Sequence, residues 1–185
     1  MMLKKLALVF FTILIMVSCA VIPKNTSVKT MHLKASDFEG NWKGTMRWIV
    51  PDKQFEKTIP VTIEIKPLTG FGGIWEWNTF YYDSAGTIAK KYLLKTIDSI
   101  SGRFVIDELN SVVLHENLVE NSFYSSYLVG NTLFFTQIEL NKNNLNQTIT
   151  GFSNQKADTT GLQTGYTIVS HRFLFIQKSE LKKVD

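Results

Sequence analysis

The chain has 185 residues, of which 44% are hydrophobic and 12% aromatic, and this composition is typical of a globular protein of one domain. Its formal net charge is +4, and subtracting Lys4 and Lys5, which lie in a segment that we expect to be removed, leaves +2. The remaining basic residues are scattered, so charge argues against a nucleic-acid-binding domain. The single cysteine excludes a disulfide framework.

Residues 1–18 have the pattern of an export signal. Lys4 and Lys5 provide a positive start, and the apolar run that follows, residues 6–17, is broken only by Thr12. This run is too short to cross a hydrocarbon core about 30 Å thick, which needs about 20 residues. It has the length of the apolar part of a signal peptide instead.

The run ends in Met16-Val17-Ser18-Cys19, which resembles the lipobox of bacterial lipoproteins. In that family the signal is cut just before the Cys, and the Cys carries the lipid. The resemblance implies cleavage after residue 18, acylation of Cys19 and a membrane-anchored protein of the bacterial cell envelope. Ala20, the next residue, resembles an outer-membrane address. The alternatives are an ordinary signal peptide with an incidental Cys and an uncleaved anchor.

Residues 19–36 hold Pro, Lys, Asn, Thr and Ser without apolar periodicity, which predicts a flexible tether. Residues 37–185 form the predicted folded domain, and its first strand follows Gly40. Trp42, Met46 and Trp48 fall on one face of that strand, whereas the intervening Lys43, Thr45 and Arg47 fall on the other. Strict alternation predicts a strand with one buried face.

The rest of the chain predicts strands about ten residues apart and no convincing long helix. The signals cover 59–66, 74–82, 87–97, 103–109, 112–119, 122–129, 132–140, 148–152 and 166–178, and residues 153–165 are predicted to be a loop. This pattern is typical of an antiparallel barrel or sandwich. We expect an all-β antiparallel barrel of eight to ten strands, since closure removes exposed strand edges and the interior holds side chains plus one small ligand.

The Gly40-x-Trp42 opening resembles the first strand of lipocalins and related calycin barrels. Calycins resemble one another in a Trp on the first strand that an Arg of the last strand covers at the closed end. The resemblance therefore implies a calycin-like, lipocalin-like barrel in which Arg172 lies across Trp42 in a cation–π contact. It implies a structural role for both residues.

No motif in the sequence predicts an enzyme. The three His residues lack metal-ligand spacing, and no G-x-S-x-G motif is present. We assign the adjacent acids Asp107-Glu108, and Glu116 beside His115, to solvated strand faces and loop caps. The sequence thus predicts no catalytic residue, no metal and no cofactor.

The abundant aromatic residues suggest either a cavity for an apolar ligand or a filled barrel. Trp48 lies six residues, about 20 Å, beyond Trp42 and therefore toward the open end. We expect Trp48, Trp75 and Trp77 to line or flank the cavity. The first hypothesis is a lipid-anchored envelope protein that binds a small hydrophobic ligand. The second is a protein–protein interaction module of the envelope with a filled barrel and an exposed apolar patch.

Overall fold

The structure is a computed structural model that describes residues 33–161, 165 and 167–184. The signal segment, the lipobox with Cys19 and residues 19–32 of the predicted tether lie outside these residues. Within the described part, the helical elements are two 3₁₀ turns, Ala35–Phe38 and Pro51–Lys53. None of the described helices is long and apolar enough to cross a membrane.

Ten antiparallel strands close into one barrel in which each strand pairs with its neighbours in the sequence. The strands are β1 Gly40–Val50, β2 Phe55–Pro67, β3 Ile74–Asp83, β4 Gly86–Asp98, β5 Arg103–Asp107, β6 Val113–Val119, β7 Ser122–Val129, β8 Thr132–Asn141, β9 Asn144–Thr160 and β10 Ile168–Val184. β10 pairs back with β1, and Asn41 stands opposite Val184. The predicted antiparallel barrel is confirmed, at the upper limit of the expected strand number.

One end of the barrel is packed solid, and we call it the closed end. The 3₁₀ turn Ala35–Phe38 carries the Phe38 ring into it, where the ring centroid lies 4.9 Å from that of Phe123 and 6.5 Å from that of Trp77. Trp42 is fully buried beside them. The core there consists of inward-facing residues that alternate with exposed ones, including Ile63, Ile65, Leu94, Leu145 and Leu181.

The folded domain begins before residue 37, which corrects the predicted boundary of the tether. The Leu33 amide donates to the Glu120 carbonyl at 3.1 Å, and Ala35 is buried. The Lys34 amide donates to the Asp37 carboxylate at 2.7 Å, which satisfies one free donor at the start of the 3₁₀ turn. Residues 33–36 therefore belong to the domain, since they position Phe38 under the barrel.

The last hairpin is longer than the sequence predicts. Residues 153–160, predicted to be loop, continue β9, and β10 extends past the predicted end at Lys178 to Val184. The alternation of apolar and polar residues did not predict either extension, because most side chains there are polar. An exposed strand is held by its backbone pairing and needs few apolar residues. Leu181 is the exception, and it is buried on the inner face.

Candidate functional site

The end of the barrel opposite Phe38, the open end, holds a cavity of about 330 Å³. We call it the mouth cavity. Its walls are inward-facing residues of β1, β2, β3, β4 and β10, so the cavity lies inside the barrel and opens at the rim. The lining residues are Met46, Trp48, Lys57, Ile59, Tyr81, Asp83, Ile88, Lys90, Tyr92 and Gln177.

The mouth cavity has apolar walls and a charged rim. Trp48 is 36% exposed and contacts Phe55 edge to face, with ring centroids 5.5 Å apart. At the rim, Lys57 Nζ lies 2.5 Å from Asp83 Oδ2, and this hydrogen bond holds the pKa of Asp83 below its usual value. An apolar hollow with a few polar groups is the usual form of a small-molecule site.

A second, smaller cavity of about 90 Å³ lies deeper in the barrel, and we call it the inner cavity. Tyr81 and Tyr92 line both cavities, so the two are contiguous along these side chains. Burial raises the pKa of both phenols, which keeps them neutral hydrogen-bonding groups. The other lining residues are Trp77, Thr79, Ile106, Glu108, Leu114, Glu116, Tyr127, Thr136, Ile138, Gln147 and Ile149.

Aromatic rings of β7, β8 and β10 form one wall of the barrel next to the inner cavity. Tyr127 stacks on Phe134 with centroids 5.2 Å apart and an interplanar angle of 9°, and Phe134 contacts Phe175 edge to face at 5.7 Å. Gly151 makes room for the Phe175 ring, because a Cβ at this position would overlap the ring. This wall gives the open end a second apolar surface, built from β7, β8 and β10.

Glu116 is the buried acid of the inner cavity, and the prediction that it lies on a solvated face is wrong. Its side chain is 5% exposed, and Oε2 has no hydrogen-bond partner among the described residues. Burial raises the pKa of Glu116 to about 7, although a hydrogen bond from the Ser125 hydroxyl lowers it in part. Ser125 in turn lies 2.5 Å from the Thr136 hydroxyl. The sequence signal was the alternation of Leu114, Glu116 and Leu118, which puts the acid on the inner face.

The three tryptophans predicted to surround one cavity lie at three depths. Trp48 lines the mouth cavity, and Trp77, only 2% exposed, lines the inner cavity from the side of the core. Trp75 does not line either cavity, which corrects its assignment. Its indole Nε1 donates to Glu39 Oε1 at 2.7 Å, beside the 3₁₀ turn at the closed end. β3 begins at the closed end, and alternation predicted the face of Trp75 but not its depth.

The predicted contact between Trp42 and Arg172 is wrong, and Lys183 takes the place of the arginine. Lys183 Nζ lies 5.3 Å from the centroid of the Trp42 ring, directly across the β1–β10 pair. Arg172 lies toward the other end of β10, where it donates to Asp52 Oδ2 at 2.6 Å. Gly40, the glycine of the G-x-W opening, has a φ of 142°, and a Cβ there would meet the Lys183 side chain. Glycine at this position therefore allows the positive φ and leaves room for the Lys183 side chain.

Among the residues that the structure describes, no group of three or more His, Cys, Asp or Glu side chains is placed to hold a metal ion. No protein-family model matches the chain, and no curated protein matches it. A solved structure is similar in fold: a protein of unknown function from the DUF3598 family of Nostoc punctiforme, 15% identical, with a TM-score of 0.57 over 82% of this chain. The chain matches 49% of the length of that protein. The similarity shows the fold alone.

Proposed function

We propose that this protein is a lipid-anchored protein of the bacterial cell envelope whose barrel binds a small hydrophobic molecule at its open end. The observation that carries the proposal is the mouth cavity, a hollow of about 330 Å³ with apolar walls and a rim open to solvent. Cavities of this size and character suit small ligands. The proposal includes no catalytic step.

The form of the interior favours ligand binding over the interaction module. An interaction module of the predicted kind has a filled barrel, whereas here only the closed end is filled. Trp48 and Phe55 leave 36% and 40% of their surfaces exposed at the rim. Burying such rings under a ligand is favourable by about 25 cal/mol per Å² of apolar surface. A ligand in the hollow end thus gains free energy of binding by burying apolar surface, which a filled end does not allow.

Lipid anchoring rests on the lipobox Met16-Val17-Ser18-Cys19, which lies outside the described residues. The composition of the residues that follow Cys19 predicts a flexible tether between an acylated cysteine and the folded domain. Two or more acyl chains hold a domain stably at a membrane, because each buried CH₂ contributes about 0.8 kcal/mol.

Cys19→Ser should abolish fatty-acid incorporation, since the acyl groups have no other thiol in the chain to occupy. The measurement is metabolic labelling of the host with a radioactive or alkyne-bearing fatty acid, followed by isolation of the protein. The matched control is Ser18→Ala, which leaves the cysteine in place and should keep the label. Continued labelling of the Cys19→Ser chain would contradict the proposed anchor.

An apolar ligand should quench or shift the fluorescence of Trp48, because this is the tryptophan at the open rim. Trp48→Phe should remove most of that change, whereas Trp75→Phe should preserve it, since Trp75 lies at the closed end. Trp48→Ala should weaken binding about tenfold, the usual effect of removing an aromatic anchor from a pocket. The measurement is titration of the full chain in lipid nanodiscs with fatty acids, isoprenoid alcohols and porphyrins, against empty nanodiscs. Emission that none of these ligands changes would contradict ligand binding.

A further inference from the structure

The inner cavity has a polar character that a purely hydrophobic ligand does not use. Glu116 lines a space of about 90 Å³, and its Oε2 is buried and lacks a partner among the described residues. A buried polar atom without a partner costs free energy, and the cost is larger for a charged group. The unused acceptor in the lining of the inner cavity is therefore a place where a ligand gains a strong hydrogen bond.

The charges around Glu116 select the kind of donor. Glu108 is a second acid in the lining of the inner cavity, and none of the described residues that line it is Lys, Arg or His. The rest of its polar surface is neutral and consists of three tyrosines, Tyr81, Tyr92 and Tyr127, together with Thr79, Thr136 and Gln147. Two carboxyl groups with no basic partner make the potential negative, and aromatic rings favour cations over their faces. Both effects attract a positively charged group.

The basic residues of the open end do not oppose such a group. Lys57 is paired with Asp83, and Lys90, which is exposed, lies in the mouth cavity rather than the inner one. The titratable groups that face Glu116 across the inner cavity are Glu108 and the three tyrosines. His115, the neighbour of Glu116 in β6, is exposed on the outer face of the barrel.

We infer that the ligand is an amphiphilic amine, whose protonated nitrogen donates to Glu116 in the inner cavity while its apolar part fills the mouth cavity. This inference rests on the proposed function and specifies its ligand. A hydrogen bond between an ammonium and a carboxylate is about twice as strong as one between neutral groups. The hydrogen bond from the Ser125 hydroxyl to the same carboxyl group favours its charged form, since it lowers the pKa of Glu116 in part. The second carboxylate oxygen is left for the ligand.

The test compares n-hexylamine with n-hexanol, which share one apolar chain and differ in the head group. Calorimetric titration of the full chain in nanodiscs at pH 8, with empty nanodiscs as the reference, should show that the amine binds about tenfold more tightly. Glu116→Gln should remove that preference, so that the amine and the alcohol bind with affinities within about twofold of each other, since Gln keeps the shape and loses the charge. Glu180→Gln, an exposed acid on the outer face of β10, is the matched control and should change neither affinity.

The pH dependence gives a second measurement. Hexylamine should bind the wild-type chain more weakly at pH 5.5 than at pH 8, because Glu116 gains a proton as the pH falls below about 7. Equal affinity for amine and alcohol, or an amine preference that survives in Glu116→Gln, would overturn the inference and leave the proposed function standing. Failure of both probes to bind, together with the unchanged fluorescence described above, would overturn the proposed function itself.

Discussion

Trp42→Ala should lower the free energy of unfolding by about 3–5 kcal/mol, the usual cost of replacing a large buried aromatic residue with alanine. The Trp42 ring is fully buried at the closed end, and its Nε1 donates to the Phe38 carbonyl at 2.9 Å. Alanine would leave a void between β1 and the 3₁₀ turn, and it would leave that carbonyl without its donor. Lys183 would lose the ring beneath its ammonium group.

The measurement is urea unfolding followed by circular dichroism, and Trp48→Ala is the matched control. Trp48 is already 36% exposed at the rim, so its replacement should cost less than about 2 kcal/mol. Equal losses in the two variants would contradict the division of the barrel into a packed closed end and a hollow open end. A loss below about 1 kcal/mol for Trp42→Ala would show that the closed end is not the core.

The architecture was predictable because alternation is a local property of the chain. The residues of β1 alternate between buried Trp42 and Met46 and exposed Lys43 and Arg47, and this pattern requires a sheet with one apolar face. Ten such segments without a long helix leave few ways to bury that face. The depth of a residue along the barrel is a different quantity, because it depends on the register of each strand pair. For this reason Trp75 was assigned to the correct face and the wrong end.

The cation over Trp42 illustrates the same limit. The sequence favours Arg172 as the cation, because this residue stands inside an otherwise apolar predicted strand. The register of β1 with β10 instead places Trp42 opposite Lys183, eleven positions further on and roughly 35 Å away along an extended strand. Lys183 stands in a polar segment that forms a strand through its backbone pairing. No side-chain pattern therefore predicted that this residue belongs to β10.

The burial of Glu116 was not predicted for a different reason. Acidic residues are rarely buried without a partner, so a solvated position was predicted for this one. The positions of Leu114 and Leu118 on the same face as Glu116 were the available evidence against that placement. An inward-facing acid on a half-buried strand is costly to the fold, and such a cost marks a candidate site for function.

Glu116→Gln should therefore stabilise the ligand-free protein at pH 8 and leave its stability nearly unchanged at pH 4.5. In the folded state burial raises the pKa of Glu116 to about 7, from an ordinary value of 4.5. Below pH 4.5 the carboxyl group is protonated in both the folded and the unfolded chain, so it carries no penalty. Between pH 4.5 and 7 the unfolded chain releases the proton first, and the stability of the fold decreases as the pH rises.

Above pH 7 the penalty is complete and amounts to about 3 kcal/mol, since each unit of pKa difference corresponds to about 1.4 kcal/mol. Urea unfolding of the wild type and of Glu116→Gln at pH 4.5, 6 and 8 measures this difference directly. The control Glu180→Gln should follow the wild type at every pH, because that acid is exposed. Parallel stability curves for the wild type and Glu116→Gln would show that Glu116 is solvated in the folded state, which would contradict both its burial and its availability to a ligand in the inner cavity.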